Sequence, residues 1–453
     1  MKFLILDIYT NDNWRLVKDT AGGYGTGNDF GNSFFSKLLN KFVAKSISMP
    51  SMYSMYIFSI LKEKNIKVEY TRKFDLNEIK DSDYIILPTS IICHETELEA
   101  IKKLTLLKKK IFVVGVFGNT KKDSYTNSNT FVVPGEPESF FLNTSLNREN
   151  LDNFFIKDNH SINISHQLVE NLDDLPFPDW KYYSQKYPLK NNFLDFNKKI
   201  AVPIVATRGC PYSCFNYCTY PLQQGRKVRF RSVENVVNEI KYWIINLNTN
   251  KFIFRDPVFS INRKYTVDLC NKIINENLKI SFLIETHLKN LDDELIDLLK
   301  KAGLNFVYVG IESINSEVLK DINRFTVDID QQYKVIKKLV EKKIYVKSMF
   351  MFGNPEDNET TIRDTVNYAL KLPHQLVQFS IFTPYPGTPI YSLYKDKIIE
   401  KNLEKFNQYN LVFNHKNLDN KKIMDLKNFA YKKFYLRLKN VPIFFKYAFS
   451  LVR

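Results

Sequence analysis

Apolar and polar positions along this chain fall into two alternating series. In the first third, short runs rich in branched and aromatic residues stand at 2–8, 66–70, 84–88, 111–116 and 130–133. Between them, stretches with helical spacing cover 51–64 and 95–110. Strands alternating with helices predict an α/β domain built on a doubly wound parallel sheet, Rossmann-like in type. From Ala201 onward the alternation recurs six times. The strands are expected near 201–206, 251–256, 280–285, 305–311, 344–352 and 376–382. Helices are expected near 232–247, 263–277, 292–302, 314–323 with 330–342, 358–371 and 388–398. Residues 141–195 lack long periodic segments, and Pro176 and Pro178 impose an extended path there. The pattern divides the chain into a first domain (1–140), a linker (141–195), a second domain (196–405) and a small helical tail (406–453).

A length of 453 residues with 44% hydrophobic content fits two or three globular domains with sizeable cores. The start, Met1-Lys2-Phe3-Leu4-Ile5-Leu6-Asp7, is too short an apolar run for a secretory signal, and no apolar stretch approaches the roughly eighteen residues of a membrane span. The expected location is cytoplasmic. The net charge of +16 comes from dispersed lysines rather than an Arg-rich stripe, which disfavours nucleic acid as a partner. After Asp425 the picture changes: Lys427, Lys432, Lys433, Arg437, Lys439, Lys446 and Arg453 follow without an acid, interleaved with Phe434, Tyr435, Phe444, Phe445, Tyr447 and Phe449. Such a tail either packs its aromatics on the domain or makes peripheral contact with an anionic membrane or substrate.

Of the five cysteines, Cys210, Cys214 and Cys218 lie within nine residues, in a loop after the first strand of the second domain. Few, clustered and odd-numbered cysteines argue against a disulfide framework. Three thiolates on one loop can hold three irons of a 4Fe–4S cubane and leave the fourth iron open. Zinc is the alternative, but zinc sites usually want four ligands and no fourth stands nearby. Cys93 and Cys270 read as buried small hydrophobes.

The stretch Thr207-Arg208-Gly209-Cys210-Pro211-Tyr212-Ser213-Cys214 resembles the radical S-adenosylmethionine (SAM) superfamily, in the branch that also binds cobalamin. That family spaces its cysteines Cys-x3-Cys-x2-Cys; here Phe215 stands as an extra residue between the second and third. The resemblance implies that the second domain is a partial (β/α)6 barrel of TIM type, that Cys210, Cys214 and Cys218 ligate the cluster, and that the open iron chelates SAM. It further implies SAM contacts at the carboxyl ends of the strands: Tyr217 against adenine, Asp256 near the amino group, and Glu312, Ser313 and Arg324 near the ribose and carboxylate. Gly353 lies in the adenine-side segment, and Tyr385 and Gly387 lie in the Pro-Tyr-Pro-Gly-Thr turn. Strand three ends in Glu285-Thr286-His287 where relatives often carry Glu-Thr-Arg, which leaves a structural histidine as the expectation.

In the first domain, ligands of a doubly wound sheet bind at the carboxyl ends of the strands. Those ends carry Thr89-Ser90, Gly115 with Gly118, and Gly135-Glu136, which the resemblance assigns to cobalamin. The cobalt-ligating Asp-x-His-x-x-Gly pattern is absent; Asp158-Asn159-His160 has only its first half. The stretch 21–31 holds five of the fourteen glycines, consistent with a tight loop or a close approach to a ligand.

The implied function is a cobalamin-dependent radical SAM C-methyltransferase. A 5′-deoxyadenosyl radical abstracts hydrogen from a small-molecule or biosynthetic-intermediate substrate, and a reducing partner such as flavodoxin or ferredoxin supplies electrons. No catalytic residue is assigned. Two alternatives stay open: a radical SAM oxidoreductase, lyase or mutase without methyl transfer, and a non-catalytic cluster- or cobalamin-binding protein. Methylthiolation is disfavoured, because only Cys93 precedes the barrel.

Overall fold

The computed structural model describes residues 1–10, 16–27, 30, 34, 36–37, 40–41, 47–156, 168–191 and 200–437. The first domain is a five-stranded parallel sheet of β1 (Lys2–Leu6), β2 (Lys67–Thr71), β3 (Tyr84–Pro88), β4 (Lys110–Val114) and β5 (Thr130–Val132). Its order is β2-β1-β3-β4-β5, the flavodoxin-like arrangement, so the order reverses between β1 and β3. Strands β1 and β3 are buried almost throughout, and their Ile- and Leu-rich runs show no alternation. That is the pattern of a sheet covered on both faces. The helix Met52–Glu63 buries ten consecutive residues from Met52 to Leu61 and packs beside β2.

The second domain is a six-stranded parallel sheet in strict chain order: β6 (Ala201–Ile204), β7 (Lys251–Phe254), β8 (Ser281–Thr286), β9 (Leu304–Glu312), β10 (Tyr345–Phe352) and β11 (Leu376–Ile381). Each is followed by a helix, the sixth by the short Pro389–Tyr394, as the six-fold alternation predicts. The helix Asp293–Ala302 is capped by Asp292, which accepts from the Leu295 N–H, and stops at Gly303 in the left-handed region.

One departure from the sequence reading has a local cause. The expected linker contains a seven-residue helix, Trp180–Lys186, too short for a periodic signal. It docks on the edge strand β2, where the Tyr182 hydroxyl donates to Glu69 and accepts from the Tyr70 N–H. The basic tail folds in part. Helix Asn420–Tyr435 buries Tyr431, Phe434 and Lys427, whose ammonium donates to the Tyr409 carbonyl. Its tyrosines reach the exposed edge of β11. Tyr431 Oη bonds both the N–H and the carbonyl of Phe379, and Tyr435 Oη does the same at Val377. Lys439, Phe444, Phe445, Lys446, Tyr447, Phe449 and Arg453, like Asp158-Asn159-His160, lie outside the described residues. Among the described residues no helix is long and apolar enough to cross a membrane.

Candidate active site

The cysteine loop follows β6 through a short antiparallel pair, Thr207–Arg208 against Arg229–Phe230. Asp256, just past β7, is buried behind it and accepts from the N–H groups of Ala206 and Thr207. Burial raises its carboxyl to about 6. Asp256 thus braces the lead-in to the loop rather than lining the cavity described below.

The extra residue between Cys214 and Cys218 is taken up as a helical turn. Ser213–Asn216 is a 3-10 segment, and the Cys218 N–H donates to the Cys214 carbonyl at 3.0 Å. Residues four apart on a turn share a face, so both thiols point the same way. A hydrogen bond from Cys218, then the Arg324 guanidinium, pulls the Cys214 thiol down to about 6. Burial pushes Cys210 up. Among the described residues no three His, Cys, Asp or Glu side chains converge as a single-ion site. Three thiols spread along a loop and a turn suit the corners of a cluster.

Across from the cysteines, a register shift in β9 between Gly310 and Glu312 turns the strand end inward. Glu312 adopts φ +67°, a conformation that is strained for a residue with a side chain. Arg324 bridges the two walls: one Nη lies 3.9 Å from Cys214 Sγ, and the other donates to the Gly310 carbonyl at 2.8 Å and stands 3.5 Å from Glu312. Its Nε is buried and has no partner among the described residues. Between the walls lies a cavity of about 250 Å³, lined by the three cysteines, Tyr217, Glu312, Arg324 and Tyr385 of the expected set.

Other expected residues lie elsewhere. Ser313 is buried against Thr365. Gly353 packs on Ile423 of the last helix, and Gly387 packs on Tyr24 and Thr120 of the first domain. In the first domain, Thr89 donates to the Val114 carbonyl and accepts from the Gly118 N–H, and a Cβ on Gly115 would stand 2.9 Å from the Tyr53 hydroxyl. The Ser90 N–H donates to Glu97. Gly135 precedes Glu136, whose carboxylate takes both Nη groups of Arg229 at 2.8 Å and stands 3.3 Å from Arg208. Glu136 therefore joins the domains, and these first-domain residues are packed against protein.

Sequence reasoning missed the polar barrel lining. The register places Glu285, Tyr308 and Lys347 in one row across β8, β9 and β10. The Lys347 ammonium donates to Gln378 at 2.5 Å and lies 4.8 Å from the Tyr308 ring centre. Arg255 pairs with Asp19 at 3.4 Å. A lysine alternating with Met349 and Met351 on an otherwise apolar strand was the available signal. His287 is a structural histidine, as expected: its Nδ1 accepts from the Lys289 N–H, and its Nε2 bonds the Phe325 carbonyl.

The family model of the Radical SAM superfamily matches residues 204–369, the span from the end of β6 and the cysteine loop through β10 and its helix. The barrel is a radical SAM domain. An uncharacterized methyltransferase of Pyrococcus horikoshii is 28% identical over 60% of this chain and 58% of its own length. The bacteriochlorophyllide d C-12(1)-methyltransferase of Chlorobaculum tepidum is 28% identical over 49% of each chain. These alignments span only about half to three-fifths of the relatives' own lengths. Among solved structures, the radical SAM methyltransferase TsrM of Kitasatospora setae, with cobalamin and a [4Fe-4S] cluster bound, superposes with a TM-score of 0.58 at 15% identity. That superposition covers 87% of this chain and 78% of TsrM, so both domains of the present chain share that fold.

The residues of the radical SAM domain fit a cluster and SAM. Three thiols share one loop, one of them already favoured as thiolate, and the orphaned Arg324 Nε awaits an acceptor in the cavity they line. A corrinoid does not fit the first domain as it stands. The space between its sheet ends and the cysteine loop is a cavity of about 30 Å³, a few water molecules at most.

Proposed function

We propose that this chain is a radical SAM methyltransferase of the cobalamin-dependent branch. The observation that carries the reading is the cavity itself: it places Cys210, Cys214 and Cys218 on one wall and the Arg324–Glu312 pair on the other, at the carboxyl ends of the barrel strands. The methyltransferase names of the relatives and the cobalamin in TsrM support the choice of reaction.

In this reading the three cysteines hold a 4Fe–4S cluster, and Arg324 receives the SAM carboxylate. Glu312, turned inward by the shift in β9, accepts from the ribose hydroxyls, and Tyr217 lies against adenine. Bound there, the cluster supplies the electron that cleaves SAM homolytically. Tyr385 and the loop 20–26 close the cavity and keep water out. Glu285, Lys347 and Gln378 at the cavity floor orient a polar part of a small-molecule substrate. Electrons come from a flavodoxin- or ferredoxin-type reductant.

The test is an anaerobic turnover with methyl-deuterated SAM, with cobalamin present or withheld. The expected products are 5′-deoxyadenosine, S-adenosylhomocysteine and a substrate carrying the labelled methyl group. Deoxyadenosine without adenosylhomocysteine, and an altered substrate without label, would favour an oxidoreductase, lyase or mutase. No deoxyadenosine at all would favour a binding protein.

A further inference from the structure

The crevice outside β1 and β3, where the strand order reverses, is the place where a sheet of this order binds ligands. In this chain it is filled from within. Lys18 is fully buried there: its ammonium donates to the carbonyl of Pro88, the last residue of β3, at 2.9 Å. It pairs with Asp7, just past β1, at 3.2 Å and with Glu97 at 3.0 Å. Burial alone would lower the Lys18 pKa, but Glu97 and Asp7 outweigh it and hold the group above the ordinary lysine value.

The residues after Lys18 bridge to the barrel. The Gly23 and Gly25 N–H groups both donate to the Thr20 carbonyl, which closes a tight turn. The Ala21 carbonyl accepts from Thr219 Oγ1 at 2.5 Å, beside the last cluster cysteine. Gly22 has no room for a side chain, since a Cβ would meet the Thr219 carbonyl carbon at 2.5 Å. The Tyr24 hydroxyl donates to the Pro386 carbonyl at 2.5 Å, and its ring packs edge-on against Phe117 and Tyr385. One segment thus fills the first domain's crevice and roofs the barrel cavity. Beside the barrel cavity, which Thr20, Ala21 and Thr26 help to line, the space at the ends of the first-domain strands is about 30 Å³, against roughly 300–1,000 Å³ for ordinary ligand sites.

We infer that residues 18–25 are a built-in plug, and that a corrinoid binds this chain only when the plug leaves its seat. The inference rests on the corrinoid part of the proposed function. Binding to a minor plug-out state lowers apparent affinity by the fraction of molecules in that state. Loosening the plug must therefore tighten corrinoid binding.

The experiment uses the full chain with its cluster and hydroxocobalamin as the probe. Tyr24→Ala removes the bond to Pro386 and both ring contacts while sparing the buried charges. Its affinity, read from the corrinoid absorbance in equilibrium dialysis, is expected to rise by about tenfold or more. In the parent chain, saturating hydroxocobalamin is expected to speed hydrogen exchange at Gly23, Gly25 and Ile91, whose N–H groups are tied by the seated turn. Binding with those amides equally or better protected, or no gain in Tyr24→Ala, overturns the plug. No uptake by either protein overturns it as well, and removes the corrinoid from the proposed function. Deoxyadenosine formed from SAM and dithionite in the same preparations judges the radical SAM reading separately.

Discussion

Arg208, two residues before Cys210, places its guanidinium 2.8 Å from Glu138 of the other domain, and both are buried. Glu136 adds a second carboxylate at 3.3 Å and is itself held by Arg229. The cysteine loop is therefore anchored by charges at the start of the helix Pro137–Asn143, some seventy residues earlier in sequence. Replacing one partner strands a buried charge, which costs about 3–5 kcal/mol. Arg208→Met should lower the unfolding free energy from urea melts by that amount, with a lower midpoint, and release iron at lower denaturant than the parent. Arg226→Met, at an exposed arginine bonded to the Pro211 carbonyl, should change the midpoint little. Equal midpoints for the two variants would contradict the anchor.

The cysteines sort by surroundings. Cys270 is fully buried, and burial alone pushes its thiol up to about 12. Cys93 is fully buried as well, with burial as the main cause of a thiol raised to about 11. Such thiols stay protonated and inert. Cys210→Ala, Cys214→Ala and Cys218→Ala should each lose most reconstituted iron and sulfide, while Cys93→Ala and Cys270→Ala keep it. Iron and sulfide assays on all five variants decide the assignment.

Deleting Phe215 should be tolerated. The observed turn aligns Cys214 and Cys218 four residues apart, and a spacing of three also leaves two side chains on one helical face. Iron content and SAM cleavage should stay within about twofold of the parent. A deletion variant that binds no iron would show that the extra residue is required.

His287 gives stability a defined pH window. Burial first, then the neighbouring Arg324 and Lys289 charges, lower its pKa from the ordinary 6.5 to about 4, with the Phe325 carbonyl opposing. The folded ring is neutral, since Nδ1 accepts a backbone N–H. Between pH 4 and 6.5 the unfolded chain binds the extra proton, so this contribution is complete above 6.5 and falls as the pH drops towards 4. The loss is at most about 3 kcal/mol. Urea midpoints measured from pH 4 to 8 should show this slope, and His287→Gln should flatten it.

A truncation that tests the tail must spare its helix. Removing 426–453 would strip Tyr431 and Phe434 from the core and expose the edge of β11. Removing 438–453 leaves the helix in place. If that end contacts anionic surfaces, only the shorter truncation should lower vesicle binding at low salt while the cluster content stays unchanged. A full chain that ignores such vesicles ends the membrane reading.

The sheets and the cysteine loop were legible in the sequence because buried parallel strands are nearly continuous apolar runs and the thiols are adjacent along the chain. For Glu136, Gly387 and the stretch 21–25, no motif showed what they touch. Their partners, Arg229, Thr120 and Thr219, lie far away in sequence, and nothing local to Glu136 says that an arginine will reach its carboxylate. Arg324 was legible as part of the site, but its contact with Cys214 depends on how strand β9 shifts register. Lys18 stood among unremarkable surface lysines in the sequence; only the fold gives it Asp7 and Glu97 as neighbours.

The two tyrosines of the helix Asn420–Tyr435 that reach β11 have a consequence for solubility. A barrel that stops at six strands leaves β11 with unpaired N–H and carbonyl groups, a ready template for another chain. Tyr431 and Tyr435 occupy those groups at Phe379 and Val377, each hydroxyl standing in for a strand that is not there. The last helix thereby works as an edge guard, letting the sheet stay open at one side without inviting a second molecule to extend it.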